Sequence, residues 1–280
     1  MSSEQQMLVD GLKFAESPRW HDGRLWFSDV HDYAVKCVDL EGRVTRVAEV
    51  PGRPAGLGFL PDGRLLLATA LDRKLSIVEV ETGEVAEVAD LSEIAQGGLN
   101  DMVVDTEGRA FVGDVGFTFG AEPPRPGRVI GWTEADGASV AAEETTFPNG
   151  CAVDGERYVL AETLAKRVSE FRVGSDGRLT DRKVLAELED PPDGLCLDAE
   201  GCAWVAQPEE SHYLRLRPDG SIDRVVESAW PFAVTCVLGG EDGRTLFLSS
   251  ADTDLSRLPK GDSTGRIDML RVDAPRAGRP

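Results

Sequence analysis

The chain is 280 residues long, 41% hydrophobic and 29% charged, which supplies apolar material for a sizeable core and excludes disorder over most of its length. Fifty acidic residues against 30 basic ones leave a net charge of −20, which repels phosphate backbones and anionic lipid and so argues against nucleic-acid and membrane partners. The opening MSSEQQMLVDGLKF has neither the basic start nor the apolar run of a secretory signal, and nowhere do about 18 apolar residues run together, so a cytoplasmic location is expected.

Along the chain a short apolar stretch, a tight turn and a second apolar run recur. The turns read HDGRLWFSD, PDGRLLLAT, TEGRAFVGD, DGERYVLAE, AEGCAWVAQ and EDGRTLFLS, with glycines at Gly23, Gly63, Gly108, Gly155, Gly201 and Gly243. Successive glycines lie 40 to 47 residues apart, the length of one four-stranded propeller blade. The flanking segments RLWFSDV, KLSIVEV, AFVGDV and RVSEFRV have the β-branched and aromatic content of strands. Helical periodicity is confined to about one turn around DLSEIAQ, so a parallel α/β fold lacks its crossover helices. The spacing predicts an all-β, six-bladed β-propeller in which residues 1–280 form a single domain. Closing the ring needs the first and last blades joined, and QQMLVDGLKF is expected to add a strand beside RIDMLRVD. Cys37, Cys151, Cys196, Cys202 and Cys236 form no C-x-x-C pair and are expected to be reduced core residues.

The repeats can be superposed on the residue before each turn: His21, Leu60, Asp105, Asp154, Asp198 and Gly240. Five places earlier stand Glu16, Ala55, Asn100, Asn149, Asp193 and Thr235. Innermost propeller strands line the central channel, so residues at one phase form a ring about the axis. Taken singly, Asn149-Gly150 and Asp193-Gly194 read as ordinary turn dipeptides. Their shared phase points instead to convergent oxygens around an axial metal site. Two carboxylates facing each other across a channel need a cation or a shared proton, and an all-oxygen set suits a hard divalent ion, Ca²⁺ first, with Mg²⁺, Mn²⁺ or Zn²⁺ as alternatives.

ESPRW (Glu16 to Trp20), LNDMVVD (Leu99 to Asp105), FPNGCAVD (Phe147 to Asp154) and PPDGLCLDAEG (Pro191 to Gly201) resemble the senescence-marker-protein/gluconolactonase/regucalcin family over almost the whole chain. The resemblance implies a six-bladed propeller with one divalent metal held by the residues matching Glu16, Asn149 and Asp193, often approached by the one matching Asn100. It also implies hydrolysis of sugar lactones, with Asp193 as proton acceptor. Sugar-lactonase relatives carry an arginine two places before the Asn of the N-D motif, and Gly98 stands there in this chain, which removes an anchor for sugar hydroxyls. Phe117 and Phe119 in VGFTFGAEPPRPG are expected to offer a more apolar lid.

The activity expected from these residues is metal-assisted hydrolysis of a lactone or related small ester. The metal would polarise the carbonyl and stabilise the tetrahedral oxyanion while Asp193 acts as general base, and Asn100 would coordinate or orient substrate. His31 in SDVHDY is a candidate to line the same mouth, its alternative being a surface turn histidine; His21 is read as structural and His212 is given no role. No G-x-S-x-G elbow supports a serine hydrolase, and Walker and dinucleotide motifs are missing. The competing readings are a non-catalytic, metal-stabilised propeller that binds a small molecule or a protein, and phosphotriester cleavage or lactone isomerisation at the same metal.

Overall fold

In the computed structural model, which describes residues 4–280, the backbone forms twenty-four short strands and no α-helix among the described residues. The repeat glycines all adopt positive φ, from 58° at Gly155 to 88° at Gly63, the left-handed conformation that lets the chain reverse tightly between the first and second strand of each unit. Consecutive hairpins then give antiparallel sheets over residues 15–49, 54–90, 99–145, 148–187 and 195–227, blades I to V. Blade VI comprises Phe232–Gly239, Thr245–Asp252 and Thr264–Arg271, and its fourth strand is Gln6–Leu12 from the other end of the chain. The six-bladed β-propeller expected from the repeat is therefore the fold. The DLSEIAQ segment makes one helical turn, in which the Leu91 carbonyl accepts from the amides of Ile94 and Ala95.

Second strands such as Leu65–Thr69 and Ala203–Gln207 are buried at every position, because neighbouring blades cover both faces. That is why they read as unbroken apolar runs rather than as alternation. Between blades II and III, Leu66, Ala68 and Leu75 pack with Met102, Val104 and Val112; between IV and V, Val159 and Ala161 pack with Leu195, Leu197 and Val205. The five cysteines are buried and unpaired. No helix among the described residues is long and apolar enough to cross a membrane.

Closure is antiparallel, with Gln6 opposite Met269 and Leu12 opposite Gly265. Leu8 and Leu12 enter the core beside Phe247, Ile267 and Leu270. Burying a leucine of this kind is worth about 2–5 kcal/mol, so deletion of residues 1–12 is expected to lower the denaturation midpoint sharply. An unchanged urea midpoint would remove the strand from any role in closing the ring.

The segment 272–280 lies across the turn face of the ring. Ala199 N donates to the Pro275 carbonyl and Ala277 N to the Leu197 carbonyl, Val153 and Arg279 bond in both directions, and the Arg279 guanidinium reaches the Phe59 carbonyl at 2.7 Å. These partners belong to the turn-side ends of several blades, so this strap fastens those blades to one another on the turn side.

Candidate functional site

The innermost strands are Ala15–His21, Pro54–Phe59, Leu99–Val104, Pro148–Asp154, Leu195–Leu197 and Phe232–Gly239. Near the start of five of them the register is interrupted, between Glu16 and Arg19, Pro54 and Leu57, Leu99 and Met102, Pro148 and Cys151, and Ala233 and Thr235. The sixth begins only after the equivalent point, where Asp193 N bonds Ala206 O and Ala206 N bonds Gly194 O. A bulge bends the strand and re-aims one side chain. Here it recurs at the start of the inner strands, beside the residues of one phase.

The glycines that follow two of these residues are not turn glycines, which sets aside the turn-dipeptide alternative for Asn149-Gly150 and Asp193-Gly194. Neither has positive φ. Instead a Cβ on Gly150 would fall 2.5 Å from Leu195 N, and one on Gly194 would fall 1.9 Å from Thr235 Oγ1. They are glycine because adjacent inner strands approach too closely for any side chain, and that approach brings the neighbouring ligand candidates within reach of one another.

Four of the ring residues offer a carboxylate or carboxamide oxygen. Asn100 Nδ2 donates to the Pro148 carbonyl at 3.2 Å, and Asn149 Nδ2 donates to Thr163 Oγ1 at 3.1 Å. Both amide nitrogens are thus fixed to the wall. Neither amide oxygen has a hydrogen-bond donor among the described residues. Asp193, 7% exposed, likewise has a buried Oδ1 with no partner. Buried polar atoms are almost always bonded, so the orphan Asp193 oxygen marks a place that another group can complete.

Electrostatics give the same result. Burial raises the Asp193 pKa to about 8, the charge of Asp101 adds to the rise, and the Asn149 amide offsets part of it. Glu16 is raised well above the ordinary carboxylate range, first by burial and then by Asp193 and Asp101, with the Ser17 amide and Arg19 acting against the rise. Three carboxylates, Glu16, Asp101 and Asp193, therefore interact around one guanidinium, Arg19, which pairs with Asp101 at 2.7 Å. Ionised together, the three carboxylates would leave two negative charges, and a doubly charged cation with oxygen preference fits both that charge and the donor set. Among the described residues no cluster of three or more His, Cys, Asp or Glu could hold a metal alone, so a metal here must draw on the carboxamides.

Several supporting residues escape a reading by phase. Thr163 Oγ1 accepts from Asn149 and donates to the Pro192 carbonyl at 2.9 Å, which ties Asn149 to the residue next to Asp193. Arg19 bonds the carbonyls of Leu57, Pro18 and Met102 as well as Asp101, which links blades I, II and III beneath the ring. Buried polar residues at the ends of the second strands pin the loops that lead into the ring: Asp29 accepts from the amides of Lys13 and Phe14, Asp114 from those of Gln96 and Gly97, and Glu162 from that of Thr146. The signal was in the repeat itself, since these residues close the quoted turns WFSD, FVGD and VLAE.

The remaining sequence candidates lie on the face opposite the repeat turns. His31 stacks on Phe14 with centroids 5.0 Å apart, and its Nδ1 is 2.6 Å from Ser263 Oγ. Phe117 is 2% exposed and packs on Phe147; Phe119, 45% exposed, meets the same ring edge-on at 5.5 Å. Phe147 immediately precedes Pro148-Asn149, so the three rings form a wall beside the blade IV ligand candidate. His21 stacks on Phe59, and His212 bonds Gln207, both away from the ring.

Six four-stranded sheets closed into a propeller define the class of protein. The chain belongs to the family described as SMP-30/gluconolactonase/LRE-like region, which matches residues 14–252. It is 29% identical to 6-deoxy-6-sulfogluconolactonase of Pseudomonas putida over 65% of this chain and 64% of that one, just under two thirds of the relative's length. It is 26% identical to regucalcin of Gallus gallus over 94% of this chain and 93% of that one. A solved calcium-binding protein, regucalcin from Agrobacterium tumefaciens, has the same fold, with a TM-score of 0.84 at 20% identity, covering 99% of this chain and 97% of that one.

Proposed function

We propose that the chain hydrolyses a lactone, or a related small ester, with a divalent cation held by Glu16, Asn149 and Asp193 and approached by Asn100. The observation that carries this reading is the unpartnered, buried Asp193 Oδ1, at the same phase of the repeat as two carboxamides whose nitrogens are tied back. The relatives support it, since one is named for a sulfogluconolactonase and another for regucalcin. When bound, the cation supplies Lewis-acid polarisation of the lactone carbonyl.

The chain's own residues do the rest. Asp193 accepts a proton from water as its oxygen adds to the carbonyl carbon. The ring C–O bond then breaks, and that proton passes to the departing alkoxide, leaving a hydroxy acid. Thr163 and the Pro192 carbonyl keep Asn149 and Asp193 in register, so the base does not have to reorganise during the reaction. Gly98, the Phe147 and Phe119 wall, and exposed Tyr33, Leu71, Leu164 and Leu255 on loops of the same face favour a ring less hydroxylated than a sugar lactone.

A panel of aliphatic, aromatic and sugar lactones, assayed on metal-stripped protein reloaded with Ca²⁺, Mg²⁺, Mn²⁺ or Zn²⁺, tests the proposal. Acid release is expected only in the reloaded samples, and Glu16→Gln is expected to weaken cation binding by about 10- to 100-fold. Cation binding without turnover of any member would favour the calcium-binding reading that the regucalcin name suggests.

A further inference from the structure

Two residues ahead of the oxygen ring stand Phe14, Arg53, Gly98, Phe147, Pro191 and Ala233, one on each blade. Arg53 is the one polar side chain among them. Its backbone has φ of 63°, a conformation seldom adopted by residues other than glycine, fixed by Arg53 N to Val50 O and Ala70 N to Arg53 O. The side chain is half-buried, its Nε is shielded from solvent without a hydrogen-bond partner, and the guanidinium makes no hydrogen bond or ion pair among the described residues. Arg128 and Arg157 also bury an unpartnered guanidinium nitrogen, but each has other bonds, to Ile94 and to Glu170 and Gly201. A bare guanidinium is costly to hold in a half-buried place unless something planar and anionic completes it.

Its surroundings suit such a group. Blade II lies against blade I here, with Val50 N bonded to Tyr33 O and Ser28 Oγ bonded to Ala55 O. On the other side a Cβ at Gly98 would meet only the Ala70 carbonyl, at 3.4 Å, so space is open next to the arginine. The charge of Arg53 is felt at His31, whose pKa is lowered by burial first and by Arg53 second, with Asp29 acting the other way. Ser263 Oγ engages Nδ1, which leaves the His31 Nε2 without a partner among the described residues; in the tautomer in which Ser263 donates, that nitrogen carries the proton. Asp29 is occupied by Lys36 and by the amides of Lys13 and Phe14, so it makes no ion pair with Arg53.

We propose that Arg53, with His31 beside it, holds a carboxylate carried by the substrate lactone, at the channel mouth above the oxygen ring. This rests on the lactone-hydrolase reading and narrows it: one anionic group faces blades I and II, and the apolar part of the ring faces the Phe147 wall. The net charge of −20 does not oppose it, because charges beyond about 10 Å are largely screened while the guanidinium acts at contact.

The test uses matched pairs that differ only in the anion. Pyroglutamate and 5-methylpyrrolidin-2-one are lactams that need no turnover, and γ-carboxy-γ-butyrolactone and γ-valerolactone are the corresponding lactones. Calorimetry on the Ca²⁺-loaded chain is expected to show pyroglutamate bound more tightly than the neutral lactam. Arg53→Gln should weaken pyroglutamate by about 10- to 100-fold and the neutral lactam by less than about threefold, the loss expected for a charge-assisted pair. Arg53→Lys should recover part of the affinity. In turnover, Arg53→Gln should raise KM for the carboxylated lactone and leave kcat close to wild type. Absence of pyroglutamate binding to the wild-type chain, or equal weakening of both lactams at an unchanged melting temperature, overturns the subsite. Arg53-dependent lactam binding without hydrolysis of any lactone would retain the subsite and remove the hydrolase; hydrolysis with lactam affinity indifferent to Arg53 would do the reverse.

Discussion

Asp193→Asn is expected to lower kcat for lactone hydrolysis by about 10²- to 10⁴-fold, the range attributable to a positioned general base, while raising the melting temperature of the cation-free protein. The two effects have one cause. Asp193 is buried, its Oδ1 has no partner, and it confronts Glu16 across the ring. An asparagine keeps the shape and one oxygen but removes the charge, which relieves a penalty on the order of 1–3 kcal/mol in the empty ring. It also removes the proton acceptor, so the gain in stability and the loss of turnover should appear together. Retention of full activity in the variant would exclude Asp193 from catalysis. Loss of activity together with a lower melting temperature would make it a packing residue.

Much of the fold was legible because a propeller repeats. Six turn glycines at blade spacing fixed the number of blades, and the strand supplied by QQMLVDGLKF followed from the need to close the ring. The same periodicity selected Glu16, Asn100, Asn149 and Asp193, since residues at one phase of a repeat share one distance from the axis. What it could not select were residues whose roles depend on contact between blades. Thr163 joins Asn149 to Pro192 from a loop outside the aligned phase, and Arg19 reaches Asp101 across 82 positions of sequence. Spacing along the chain does not encode either proximity. The glycines after Asn149 and Asp193 belong to the same class: taken singly they look like turn residues, whereas the close approach of neighbouring strands decides them. Arg53 was visible in principle, standing at the same phase as Gly98 one blade earlier, but only the missing partner of its Nε distinguishes it from a surface arginine.

The cation-free protein is expected to lose stability as pH rises from about 4 to about 8, and a bound divalent cation is expected to flatten that slope. An Asp in an unfolded chain titrates near 4, whereas Asp193 in the folded chain titrates at about 8, and Glu16 is also raised. Between those values the folded state binds more protons than the unfolded one, so unfolding releases protons and becomes easier as pH increases. The stabilising effect of protonation is fully present below the unfolded value and is lost through the folded one. For a carboxylate this deeply buried the loss is on the order of a few kcal/mol. A cation competes with those protons, so its apparent affinity should increase over the same window and level off above about pH 8. Urea denaturation of chelator-treated protein at a series of pH values, with and without added Ca²⁺, measures both. Cation-free stability that increases from pH 4 to 8 would mean that the ring carboxylates are ionised and paired in the folded chain, and the argument for two uncompensated charges on the axis would fail.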